Sequence, residues 1–210
     1  MIVLWFAVCA VIGYLLGGFN GAILVSKWFR GEDIRTKGSG NAGLTNFYRN
    51  YGGLDTLLVL LIDVGKAVLA CFLGQWILGT FDPAWATGGA MFCGVFTVLG
   101  HVFPIWFGFK GGKGILTSGA VGAFMSWKII AALLVIFIIV LLLSRYVSLG
   151  SIVCCGAYPF LFWWFAPKDG HPLFVLLLSC FLAALALWMH RTNIKRLAAG
   201  KENKFSLHKK

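Results

Sequence analysis

The sequence predicts an all-α integral membrane protein: a single polytopic bundle of seven transmembrane helices, N-terminus outside and C-terminus cytoplasmic. Three observations lead there. Of the 210 residues, 60% are hydrophobic and only 12% charged, with a mean hydropathy of +0.87, whereas soluble domains carry roughly 25% charged residues. Long apolar runs such as 129–143 and 173–189 suit spanning helices, and the strand alternation of a membrane barrel is missing. Lysines and arginines gather between the runs in a way that one topology places almost wholly on one side. No polar stretch reaches the roughly 50 residues of a separate soluble domain, so residues 1–210 form one membrane domain.

Residues 1–25 are the first span, apolar from Met1 with no basic segment ahead of it, and so expected to be retained. Gly13, Gly17, Gly18 and Gly21 give it a small-residue face for close helix packing. A polar loop covers residues 26–53. The second span, 54–78, ends at Gly79-Thr80-Phe81-Asp82-Pro83, and the third runs from Ala84 to about His101. Residues 115–125 are too short for the roughly 20 of a full crossing. Residues 129–143 and 148–165 follow, split by Ser144-Arg145-Tyr146-Val147, and 171–189 is the last span.

Residues 115–143 could be one crossing, which would put the basic tail opposite the first loop, or a short helix or re-entrant dip plus a full helix. The positive-inside bias prefers counting two crossings. Lys27, Arg30, Arg35, Lys37, Arg49, Lys110, Lys113, Arg145 and the tail from Arg191 to Lys210 then share one face, while Lys128 and Lys168 stay opposite. The net charge of +11 is explained by this bias. Nucleic-acid binding would need a basic, aromatic-lined groove outside the lipid, and there is no domain to build one. Cys9, Cys71, Cys93, Cys154, Cys155 and Cys180 all lie in apolar surroundings without C-x-x-C spacing, and read as buried small hydrophobes.

Three polar stretches are then left on the cytoplasmic face. Residues 39–46, SGNAGLTN, hold too many turn formers for a helix interior. Their glycines let backbone N–H groups converge on an anion, and Ser39, Asn41, Thr45 and Asn46 add side-chain partners. Arg49 lies one turn on if a helix begins at Asn46. The plainer alternative is a loop capped by Thr45 or Asn46. Residues 108–114, GFKGGKG, offer adjacent glycines with exposed donors, two lysines and a helix starting just after Gly114, a pattern that suits phosphate, the plainer alternative being a flexible basic turn at the headgroups. It is not a Walker A loop, since Phe107 and Gly114 replace a required glycine and hydroxyl. His101 and His190 stand at span ends, and Asn193, three residues after His190, shares its helical face. That pair could orient a hydroxyl and assist its deprotonation. His171 and His208 add no metal-ligand spacing. Asp63 and Lys66, one turn apart within a span, read as an ion pair.

Taken together, the stretches resemble the three signature motifs of the bacterial PlsY family of acyl-phosphate:glycerol-3-phosphate acyltransferases. The fit runs as S-G-N-x-G-x-T-N-x-x-R from Ser39 to Arg49, G-H-x-F-P with K-G-G-K-G from Gly100 to Gly114, and H-R-x-N-I-x-R-L-x-x-G-x-E from His190 to Glu202. It covers essentially the whole chain. Leu44 stands where alanine is common and Ala67 where D-x-x-K-G has glycine, neither a loss of a reactive group.

The resemblance implies a plasma-membrane enzyme that makes lysophosphatidate from an acyl phosphate and glycerol 3-phosphate, working beside membrane lipid without metal or cofactor. It implies that Lys110, Gly111, Gly112 and Lys113 hold the acceptor's phosphate, with His101 beside them. Ser39, Asn41, Thr45, Asn46 and Arg49 would hold polar groups of both substrates, Ser39 and Arg49 taking part in catalysis. His190 and Asn193 would position the glycerol hydroxyl, and Glu202 would support the tail. The proton would go to His190 or to a phosphate oxygen of the donor. The competing class is a transporter for a phosphorylated solute, with Asp63 and Lys66 as couplers, but no inverted repeat is evident. The oligomeric state is not legible.

Overall fold

The computed structural model describes residues 1–205 and, among them, ten α-helices and no strand. His208 and the last lysines of the basic tail lie outside the described residues. The helices are α1 (Ile2–Gly18), α2 (Gly21–Arg30), α3 (Leu44–Tyr51), α4 (Asp55–Phe81), α5 (Ala86–Val102), α6 (Ile115–Met125), α7 (Trp127–Ser144), α8 (Val147–Phe165), α9 (Pro172–Met189) and α10 (Arg191–Ala198). Six stretches are long and apolar enough to cross a membrane: Ile2–Arg30, Asp55–Phe81, Pro83–Phe107, Trp127–Ser144, Val147–Phe165 and Pro172–Met189. The 11 residues of α6 rise about 17 Å at 1.5 Å each, against a hydrocarbon core of roughly 30 Å. It is the short element that the sequence pointed to.

Close approach of backbones builds the first half of the bundle. A side chain at Gly17 would collide with the carbonyl of Thr97 on α5, and one at Gly100 with that of Tyr14 on α1. Lipid supplies no hydrophobic force between helices, so such small-residue contacts and interhelical hydrogen bonds hold them together. Behind them lies a core in which Met91, Val98, Val121, Ile129, Phe162 and Leu182 are fully buried.

The first span is not the single helix expected over residues 1–25. It breaks at Phe19-Asn20, and the break leaves carbonyls at the end of α1 and N–H groups at the start of α2 without helical partners. Polar side chains take them up. Asn20 Oδ1 accepts from Ile23 N at 3.1 Å, and Asp63 Oδ1 on α4 accepts from Gly21 N at 3.1 Å. Lys66 Nζ donates to Gly17 O at 3.1 Å and Phe19 O at 3.0 Å. The ammonium thus sits at a helix C-terminus and the carboxylate at a helix N-terminus, each at the end of the macrodipole that favours it.

Another local expectation is corrected. The cap of α3 is Gly43, whose side-chain-free backbone leaves Thr45 exposed and Asn46 buried inside the helix. At the far end of the chain, Phe205 N donates to Arg145 O at 2.7 Å, so the segment after α10 folds back onto the α7–α8 turn.

Candidate functional site

The three polar stretches meet at one end of the bundle around a cavity of about 570 Å³. Ser39, Asn41, Thr45, Asn46 and Arg49 line it from the first stretch, His101 and Lys113 from the second, and His190, Asn193 and Glu202 from the third. The rest of its wall is mostly apolar and runs between α6, α7, α8 and α9. Lys110, Gly111 and Gly112 do not line it.

In the first stretch, Asn46 is the internal scaffold of the loop. Its Oδ1 accepts from Ser39 N at 2.9 Å, and its Nδ2 donates to Lys37 O at 3.1 Å and Asn41 O at 3.0 Å. The amide expected to meet a substrate is therefore engaged by loop backbone and by Asn50, while Asn46 still borders the cavity. That engagement has a use: it curls residues 37–41 so that Ser39 and Asn41 reach the cavity. Arg49 is exposed on α3 and has no acidic partner among the described residues. It is a cation available to a ligand.

In the second stretch the glycines serve a different purpose from the one expected. Gly111 N donates to Val102 O and Gly112 N to His101 O, both at 3.1 Å, so neither N–H is open to an anion. A side chain at Gly112 would strike the His101 ring and come within 2.6 Å of Ala42 O. Glycine is needed there so that both loops can touch across α5. Arg35 adds a clamp, its Nη1 donating to Phe107 O at 2.6 Å and Lys110 O at 3.0 Å. Lys113 is the member of this loop that turns inward.

In the third stretch, Asn193 accepts from Lys113 Nζ through Oδ1 and donates from Nδ2 to Glu202 Oε1 at 2.9 Å. Glu202 also accepts from Ser148 Oγ at 3.0 Å and Arg196 Nε at 2.7 Å. Each group of the Asn193 amide thus has one protein partner, which leaves a second N–H and a second lone pair beside the cavity it lines. His190 ends α9 with Nδ1 at 2.8 Å from Ala186 O. A carbonyl can only accept, so Nδ1 carries the proton and Nε2 of the neutral ring keeps its lone pair.

The charges are unbalanced. Burial, with repulsion from Arg196 and Arg49 only partly offset by Glu202, brings the Lys113 ammonium down to about 8. Burial, reinforced by Lys113, pulls the His190 imidazole down to about 4 despite its bond to Ala186 and the nearby Glu202. Burial works against ionising Glu202, but hydrogen bonds from Arg196, Asn193 and Ser148 outweigh it and hold the carboxyl below its usual range. Among the described residues of this end, Lys113, Arg49 and Arg196 outnumber the one carboxylate of Glu202, a balance that suits an anionic ligand.

His101 is 3% exposed and belongs to the network below the helix break. Its Nδ1 lies 3.0 Å from Lys66 Nζ and 3.5 Å from Asn20 Nδ2, while Asn20 Nδ2 donates to Ala42 O at 3.1 Å. Through Asn20 and His101, the Asp63–Lys66 pair braces the first loop against the second. Sequence reasoning missed Asn20, Arg35, Ser148 and Arg196. An asparagine inside the apolar Gly17-Gly18-Phe19-Asn20-Gly21 run was a signal for the first, but nothing in the spacing marks Arg35 or Ser148.

A sequence profile for the family described as Glycerol-3-phosphate acyltransferase matches residues 7–200. A glycerol-3-phosphate acyltransferase of Carboxydothermus hydrogenoformans is 40% identical over 200 residues, covering 95% of this chain and 96% of its own. One from Finegoldia magna is 37% identical over 201 residues, covering 96% of each. Among solved structures, the crystal structure of the integral membrane glycerol 3-phosphate acyltransferase PlsY in its glycerol 3-phosphate form superposes with a TM-score of 0.83 at 33% identity. The match covers 96% of each chain. Its lysophosphatidic acid form gives 0.80 at 31% identity, covering 96% of this chain and 95% of that one.

Proposed function

This chain belongs to the glycerol-3-phosphate acyltransferase family, and from that premise we propose that it moves an acyl group from acyl phosphate to the sn-1 hydroxyl of glycerol 3-phosphate. The observation that carries the reading is one cavity with two chemistries: a mostly apolar body between α6 and α9, and an end ringed by Lys113, Arg49 and Arg196. Such a site suits a donor with a long apolar tail and an anionic head, meeting a small phosphorylated acceptor. The glycerol 3-phosphate and lysophosphatidic acid forms of PlsY name an acceptor and a product of that kind.

An acyl phosphate is a mixed anhydride with a good leaving group, so no covalent enzyme intermediate is required. The sn-1 oxygen attacks the carbonyl carbon, the bond from that carbon to the bridging oxygen breaks, and the oxygen departs with its phosphorus as inorganic phosphate. Lys113 and Arg49 neutralise charge on the tetrahedral intermediate and the leaving phosphate. Asn193 keeps Lys113 aimed, and Glu202 keeps Asn193 in place. His190 presents the Nε2 lone pair and orients the hydroxyl. Held at about 4, it is a weak base at neutral pH, and the reading assigns the proton to an oxygen of the donor phosphate, which lies next to the reacting carbon.

The reading extends to topology. Counting α6 as a crossing gives seven, places the N-terminus outside and the C-terminus inside, and gathers all three motifs at the cytoplasmic face of a bacterial plasma membrane. The bond from Phe205 to Arg145 and the contact between Ser148 and Glu202 support a shared side for the tail and the α7–α8 turn. The test is direct: purified protein is incubated with acyl phosphate and glycerol 3-phosphate, and lysophosphatidate and phosphate should form in equal amounts. Equal turnover with purified acyl-CoA, free of phosphate-transferring enzymes, would overturn the donor assignment.

A further inference from the structure

The apolar body of the cavity stops short. On α8 its lining recurs at Ser148, Ser151, Cys155 and Tyr158, a single helical stripe, and nothing beyond Tyr158 contributes although α8 continues to Phe165. From Ser148 to Tyr158 the helix rises about 15 Å, roughly half the hydrocarbon thickness. The neighbouring helices end their contributions at Ala123, Ile130 and Leu182.

What closes the floor is tightly packed. Phe162 and Ile129 are 1% and 0% exposed, and the Tyr158 ring lies against Phe162 with centroids 4.6 Å apart. The Tyr158 hydroxyl donates to Ser118 O at 2.7 Å, tying α8 to α6. A side chain at Gly122 would come within 3.0 Å of Ile129 and 3.4 Å of Tyr158, so α6 packs close behind the ring on that side. Swinging it away would also strand a buried hydroxyl without a partner. The ring is fixed.

We propose that Tyr158, pinned by Ser118, is the end stop that sets the longest acyl chain the enzyme accepts. This rests on the reading of the cavity as the donor's acyl site. With the carbonyl held at the polar end, each further methylene is buried favourably until the terminal methyl meets the tyrosine ring. A longer chain must then fold back or leave part of itself outside. Ala123, the last residue of α6 on the cavity wall and the neighbour of Gly122, is the position where added volume would raise the floor.

The experiment supplies purified protein with an equimolar mixture of saturated acyl phosphates of graded even chain length, and measures the lysophosphatidate species by mass spectrometry. Tyr158→Ala should move the preferred chain at least one step longer, with a several-fold rise in the ratio of long to wild-type-length product. Ala123→Leu should move it shorter, and it leaves the tyrosine in place should Tyr158→Ala fail to fold. Tyr158→Phe keeps the ring but loses its bond to Ser118, and should move the optimum less than Tyr158→Ala does; a shift equal to alanine's would assign the stop to the bond alone and overturn the role of the ring. An Ala123→Leu enzyme that turns over with the wild-type profile would overturn the proposal. Retention of a graded mixture of free fatty acids by each purified variant reads the same gauge without turnover. If the wild type forms no lysophosphatidate yet its retained chain length shifts with these substitutions, the donor reading fails while the end stop stands. Retained lengths that do not move would overturn the end stop itself.

Discussion

Lys66 Nζ stands 2.7 Å from Asp63 Oδ1 inside a membrane-crossing helix, and between them these two side chains cap both ends of the break in the first span. An unpaired charge at mid-membrane costs about 2.5–3.5 kcal/mol even on insertion scales. Pairing alone would be a weak reason to keep two of them there, since buried ion pairs are often replaceable by apolar residues. Capping gives a reason that apolar residues cannot supply, because the carbonyls of Gly17 and Phe19 need a donor.

Lys66→Met should therefore destabilise the protein strongly, by about 3–5 kcal/mol, since it strands the Asp63 carboxylate and two carbonyls. Removing both charges in Lys66→Met/Asp63→Leu should recover only part of the loss, because the helix ends stay uncapped. Thermal unfolding of the single and double variants in detergent measures this. Full recovery in the double variant would show that charge, and not capping, was the whole effect.

The proposed topology is tested by single cysteines in a background lacking the six native ones. Replacements at Lys37, Lys110 and Lys204 should resist a membrane-impermeant thiol reagent applied to intact cells, while Asp169→Cys should react. Labelling of the first three from outside would place the motif face on the wrong side.

How much of this was legible beforehand follows the physics of each signal. Span order and the shortness of the α6 segment were readable because hydropathy needs no partner to be seen. The convergence of Ser39, Arg49, Lys113 and His190 followed from counting crossings and charges. The break at Asn20 was hidden because the residues repairing it, Asp63 and Lys66, lie more than 40 positions away. The glycines of the second loop were misjudged for a related reason. Their N–H groups look free in sequence, but in the fold they are taken by His101 and Val102. Asn46 and Asn193 both border the cavity, and the protein bonds that hold their amides come from residues that sequence spacing does not bring together.

Lys113→Ala should raise the KM for glycerol 3-phosphate or abolish turnover, because a hydrogen bond to a charged group contributes about 1.5–3 kcal/mol. The same lysine should set the basic side of the pH profile. Its folded value is lowered to about 8, so charge is present below that pH and lost above it. The profile of kcat/KM, which reports the free enzyme, should fall as pH rises through about 8. Lys113→Arg should carry that fall to higher pH. A basic limb unmoved by arginine would assign it to another group.

Glu202→Gln keeps the shape at the hub but removes the charge that holds Arg196 and, through Asn193, aims Lys113. Its effect should fall on kcat more than on folding, because Ser148 and Asn193 can still bond an amide. With the carboxylate gone, Lys113 loses its one favourable charge partner and the basic limb should shift to lower pH. A Glu202→Gln enzyme with wild-type kcat and an unmoved limb would reduce Glu202 to a tether for the tail.

The last prediction separates the two possible proton acceptors. His190 is held at about 4, so it is neutral and has its Nε2 lone pair at any pH above that. If it is the general base, His190→Ala should lower kcat roughly 10²–10⁴-fold and erase the acidic limb of the pH profile, the fall that begins as pH drops through about 4. If the donor phosphate takes the proton, the substitution should weaken positioning while an acidic limb survives, since that limb then belongs to the phosphate. His190→Gln sharpens the choice, because an amide can still hydrogen-bond the hydroxyl but cannot accept its proton near neutral pH. Substantial recovery of kcat in His190→Gln over His190→Ala, with the limb retained in both, is the outcome the geometry favours. A glutamine variant as slow as alanine and without the limb would make His190 the base.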